Sequence, residues 1–72
     1  MKPFSQMTES ERAAWADRER NQRIADLDGV TENGAFEAAQ RRSWQRARDV
    51  GITKEQATDL CIEASRRERG VR

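Results

Sequence analysis

Only ten of the seventy-two residues are Leu, Ile, Val or Phe, and this scarcity limits the possible folds more than any other feature. With less than roughly a fifth of its residues of these types, a strongly charged chain lies near the boundary with disorder. A chain this short also buries only about 60% of the surface that its unfolded form exposes. The near balance of fourteen Lys and Arg against thirteen Asp and Glu argues against full disorder. What remains is one thin core with about 3 to 5 kcal/mol of net stability, and scope for a segment that orders on meeting a partner.

The helical signals are strong by comparison. Residues 1–7 contain the only proline and read as a flexible lead-in. Thr8-Glu9-Ser10-Glu11 then fits a capping box, in which Thr8 caps the Glu11 amide and Glu11 reaches back to the Thr8 amide. This predicts a first helix over about 9–27, ended by Gly29 in the left-handed conformation. Its apolar residues gather at the ends (Ala13, Ala14, Trp15, Ala16; then Ile24, Ala25, Leu27), and Asp17 to Arg23 is almost wholly polar. Its middle is expected to pack weakly, with a Glu19 to Arg23 pair adding a few tenths of a kcal/mol.

After the turn composition of residues 30–34, helical spacing places Phe36, Ala39, Gln40, Ser43, Ala47 and Val50 on one face, with Trp44 at its border. A second helix is therefore expected over about 35–50. Gly51 and Ile52 suit a Schellman ending. Thr53 to Gln56 forms a second capping box with Gln56 in the return position. A third helix over about 54–68 buries Ala57, Leu60, Cys61 and Ala64, carries Arg66, Arg67 and Arg69 at its negative end, and stops at Gly70. The expected architecture is all-α: a single helical domain over 8–69 with a tail over 70–72, the second and third helices paired by a tight glycine turn, and the first helix packed across them or partly free.

The single Cys61 cannot form an intramolecular disulfide, and the Met1-Lys2-Pro3-Phe4-Ser5 start lacks the apolar run of a signal peptide. No stretch resembles a membrane span. These features lead to an expectation of a reducing cytoplasm. The residue inventory also argues against an enzyme, because there is no His, no Tyr and no evident acid–base set. Asp26, Asp28 and Glu32 crowd one turn but lack the ligand number and spacing of a calcium loop. No metal, cofactor or small-molecule substrate is expected.

Residues 43–62 resemble a helix-turn-helix: Ala47 stands four before Gly51, Val50 and Ile52 flank the glycine, and Leu60 follows nine later. The resemblance implies a third helix that presents its first turn to the DNA major groove, with Thr53, Lys54, Thr58, Arg66 and Arg67 as the nucleic-acid contacts. Ala57 departs from the larger aliphatic residue usual there, and Glu55, Asp59 and Glu63 oppose phosphate contact. Residues 1–34 carry a charge of about −2 and residues 35–72 about +3, which permits a nucleic-acid partner without demanding one.

The second helix offers another candidate surface. Arg41, Trp44 and Arg48 line one edge at i, i+3 and i+7, and Arg42 and Arg46 lie on the opposite flank. Tryptophan beside arginine is the usual composition of protein hot spots and of base-stacking sites. The alternative is that Trp44 closes the core border and its arginines are solvated. Trp15, among alanines, becomes a further anchor if the first helix docks poorly. In general type the chain resembles the short proteins with which bacteriophages redirect host transcription or block host defence. That resemblance implies a small regulator clamped onto a larger host protein, with RNA polymerase as the leading candidate. The DNA-binding regulator is the first alternative, and a homo-oligomeric helical adaptor using the Phe36 face is the second.

Overall fold

The computed structural model describes residues 2–70, which fold into three helices, α1 (Glu9–Leu27), α2 (Asn33–Asp49) and α3 (Lys54–Gly70). α1 packs against both other helices, and more extensively against α3 than against α2. The first helix is thus docked, not partly free.

Local hydrogen bonds account for the boundaries. The Glu11 amide donates to Thr8 Oγ1 at 3.1 Å and the Thr8 amide donates to Glu11 Oε1 at 2.9 Å, so two amides left over at the start of α1 are each satisfied by the other residue's side chain. The same reciprocal pair opens α3, with the Gln56 amide on Thr53 Oγ1 at 3.1 Å and the Thr53 amide on Gln56 Oε1 at 2.8 Å. Between α2 and α3, Gly51 adopts φ +81°. The Gly51 amide donates to Arg48 O and the Ile52 amide to Ala47 O, the two bonds of a Schellman ending. Gly29 likewise takes φ +72° after α1.

Two boundaries differ from expectation. α2 begins at Asn33, not Ala35, because the amides of a first helical turn need no intrahelical acceptor and so Asn33 and Gly34 are tolerated there. α3 continues to Gly70, past the expected end at residue 68. The rest of the expected tail lies outside the described residues.

The core is small in content as well as size. Trp15, Ala47, Val50 and Ala57 form its centre, and Phe4, Met7, Ile52 and Leu60 pack around them half-buried. Ala16, Ala39 and Ala64 are also buried. Small residues let the helix backbones approach closely, so dispersion contacts between backbones replace part of what large side chains would supply.

The lead-in contributes to this core. Residues Phe4–Gln6 form a short 3-10 turn, and the Phe4 amide donates to Val50 O at 2.7 Å, satisfying a carbonyl at the end of α2. The Phe4 ring meets Trp15 edge to face at a centroid distance of 5.9 Å. Arg12 covers the Phe4 ring at 5.0 Å and donates to the Phe4 carbonyl at 3.1 Å. Over these residues a docked turn stands where a flexible segment was expected, because Phe4 supplies one of the few large apolar groups available to cover Trp15.

The middle of α1 also departs from expectation. It is held by polar groups, with Glu19 facing α2, and with Arg20 donating to Ser65 Oγ at 2.8 Å and pairing with Glu68 at 2.7 Å on α3. Among the described residues, no helix is long and apolar enough to cross a membrane.

Candidate functional site

Helical spacing puts Arg41, Trp44 and Arg48 on one outward edge of α2. Trp44 is 48% exposed, and the Arg48 guanidinium carbon sits 4.6 Å from its ring centroid. That stacking orients the indole and keeps a cation on one face of it. Arg41, one turn earlier, is exposed on the same edge.

The opposite flank is different. Arg46 is turned inward, where its Nε donates to Glu19 Oε1 at 2.6 Å and its Nη2 to Glu19 Oε2 at 3.1 Å. Its Nη2 also lies 3.2 Å from Asp26 Oδ2. The hydrogen bonds that Arg46 donates to Glu19 outweigh partial burial and hold its guanidinium more firmly protonated than usual. Arg42 stays largely exposed, with its Nε 3.9 Å from the same Asp26 oxygen. Arg46 is therefore a structural residue and not a free contact for a partner.

Trp15 is corrected in the same way. It is 5% exposed at the centre of the core, because α1 docks along its length, and it offers no anchor. Of the two tryptophans, Trp44 alone presents an open face.

The residues singled out by the helix-turn-helix resemblance are mostly occupied. Thr53 caps α3. The Thr58 hydroxyl donates to Lys54 O at 2.9 Å and accepts from Arg23 Nη1 at 2.9 Å. Arg67 lies 3.5 Å from Asp17 on α1. Lys54 is half-buried and Arg66 is exposed, three turns further along α3. The five do not form one surface.

Two features were not found by sequence reasoning. Glu19 is 3% exposed and accepts from Arg23 Nε at 3.0 Å and Ser43 Oγ at 3.2 Å in addition to Arg46. The Glu19 to Arg23 spacing was visible, but the partners on α2 were not. The second feature is a groove of about 170 Å³ where the end of α1 meets the starts of α2 and α3. Leu27 and Phe36 stand on its walls, 42% and 44% exposed. Phe36, which helical spacing places on one face with Ala39, Ala47 and Val50, is thus not buried with them.

Asp26, grouped in the sequence with Asp28 and Glu32, faces arginines instead of its acidic neighbours. A hydrogen bond from Gln22, with the charges of Arg46 and Arg42, holds its pKa below the ordinary aspartate value of 3.8. Burial raises the Cys61 thiol above its usual value, which disfavours the nucleophilic thiolate. The chain matches no known protein family, and no similar protein was found among characterised proteins or among solved structures.

Proposed function

We propose that this chain is a non-enzymatic binding protein that clamps onto a larger protein through the outer edge of α2. Trp44 is the anchor, and Arg48 and Arg41 are its charged rim. The observation that carries the reading is the exposed indole braced by Arg48 at 4.6 Å, in a chain with very few large apolar residues to spare. Leaving such a residue outside the core forgoes stability that the fold could use. Burying the exposed half of an indole removes on the order of 100 Å² from water, about 2 to 3 kcal/mol. The transcription machinery, RNA polymerase first, is the partner class to test, on the small size, the abundance of charged residues and the resemblance in general type to short phage regulators.

A DNA-binding regulator is the second reading. It is supported by the tight α2 to α3 turn with Gly51 at φ +81° and by the buried Ala47 and Ala57 across it. It is opposed by the engaged hydroxyls of Thr53 and Thr58 and by exposed Glu55, Asp59 and Glu63 on α3. Capture of partners from a host lysate with and without nuclease separates the two. A stoichiometric protein that survives nuclease supports the clamp. Recovery of only nuclease-sensitive material, with an affinity that falls steeply with salt, supports DNA.

A further inference from the structure

Glu55, Asp59, Ile62, Arg66 and Arg69 follow one another along α3 at alternating steps of four and three, and all are exposed. That spacing keeps them on one face of the helix, opposite the buried Ala57, Cys61 and Ala64. The face is acidic over its first half and basic over its second, with Ile62, 44% exposed, between them. Among the described residues, none of the four charged side chains has an ion-pair partner.

A helix dipole favours an acid in the first turn and a base in the last, and its influence fades within a turn. It accounts for Glu55 and Arg69, which lie in those turns. Asp59 and Arg66 lie further in, and neither they nor the exposed Ile62 follow from it. Within one chain the pattern is mildly unfavourable, because Glu55 and Asp59 are like charges at i, i+4 and Arg66 and Arg69 are like charges at i, i+3.

A face whose halves are opposite in sign complements itself when it is reversed. At about 1.5 Å of rise per residue, Glu55 and Arg69 each stand about 10.5 Å from Ile62 along the axis, and Asp59 and Arg66 about 4.5 and 6 Å. We infer that this face docks a second copy of the chain, with the two α3 helices antiparallel. Ile62 of each copy meets the other at the two-fold axis, Glu55 faces Arg69 of the second copy, and Asp59 faces Arg66. Symmetry repeats each ion pair on both sides of the apolar contact. A parallel pairing would set like charges opposite one another, so the charges select the antiparallel one. The face is on a different helix from Phe36 and Trp44 and shares no residue with the proposed clamp, so pairing and clamping succeed or fail independently.

The test is sedimentation equilibrium of the full chain, with a thiol reductant present, from about 10 µM to about 1 mM. A dimer with a dissociation constant on the order of 0.1 mM is expected, as suits a contact of one helix per copy. It is expected to weaken about tenfold between about 50 and about 500 mM salt. Glu55→Lys with Asp59→Lys makes the stripe basic at both ends, and Arg66→Glu with Arg69→Glu makes it acidic at both ends. Each double variant is expected to be monomeric alone, and the two to associate when mixed. Ile62→Gln, an exposed change that keeps helix propensity, is expected to weaken the native dimer about tenfold, whereas Trp44→Ala with Arg48→Ala is expected to leave it unchanged. A native chain that stays monomeric at about 1 mM, a dimer indifferent to Ile62→Gln or persisting in either charge variant, or folded charge variants that fail to associate when mixed would overturn the inference.

Discussion

Arg46 reaches from α2 to place its Nε 2.6 Å from Oε1 of Glu19, a carboxylate that is 3% exposed in the middle of α1. Arg23 and Ser43 complete the set around the same carboxylate. A buried acid of this kind is tolerable only when its lone pairs are satisfied, and here three side chains from two helices do so. The contact is directional where alanine packing is not, so it sets the register of α1 against α2. It also explains how a helix with a polar middle remains docked in a chain with few large apolar residues.

Replacing Glu19 by Ala removes the carboxylate that Arg23 and Arg46 share, leaving Arg46 with Asp26 and Arg23 with Thr58. Breaking a fully buried pair costs about 3 to 5 kcal/mol. The Arg23 and Arg46 side chains are 20% and 28% exposed, so partial rehydration reduces the expected loss to about 2 to 3 kcal/mol. For a domain with about 3 to 5 kcal/mol in total, this removes most of the stability. Urea unfolding followed by circular dichroism measures it, and a loss below about 0.5 kcal/mol would show that the network is not needed.

The two glycines Gly51 and Gly34 should respond in opposite directions. Gly51 sits at φ +81°, where a β-branched residue is strained, so Gly51→Val is expected to destabilise by more than about 1 kcal/mol. Gly34 has ordinary helical geometry in the first turn of α2, and nothing lies within 4 Å of an added Cβ. Gly34→Ala is therefore expected to stabilise by about 0.5 to 1 kcal/mol. Melting temperatures that move in the same direction for both would contradict the assigned turn.

Acid should weaken the fold through Asp26. Its folded value is lowered, first by the Gln22 hydrogen bond and then by Arg46 and Arg42. A group with a depressed folded value contributes stability that is present above its unfolded value, near 3.8, and is lost as pH falls through the folded value. The native chain is thus expected to lose stability more steeply than Asp26→Asn on going below the ordinary aspartate range. Parallel pH–stability curves for the two proteins would rule out this contribution.

The three helices were legible because their signals are local. Capping boxes at Thr8 and Thr53 and glycines at 29 and 51 act within a few residues, and the stripe through Ala39, Ser43, Ala47 and Val50 needs only helical periodicity. Glu19, Phe4 and the groove were not legible, because each depends on which helix faces which. Phe4 lies forty-six positions from Val50, whose carbonyl it caps, and nothing in a hydropathy pattern records that pairing. The arginine flanks of α2 looked equivalent for the same reason. Only the placement of α1 turns Arg46 inward and leaves Arg48 on the surface, and that same placement separates buried Trp15 from exposed Trp44.

The measurement that bears most directly on the clamp is capture from nuclease-treated host lysate, comparing the native chain with the Trp44→Ala, Arg48→Ala double variant. Both side chains lie on the surface, so helical content and melting temperature should stay close to native, each exposed change costing within about 0.5 kcal/mol. The account predicts a stoichiometric protein partner on the native chain that is lost from the folded variant, in keeping with a hot-spot tryptophan. Equal recovery of that partner by both proteins would contradict the assignment of the α2 edge as the binding site.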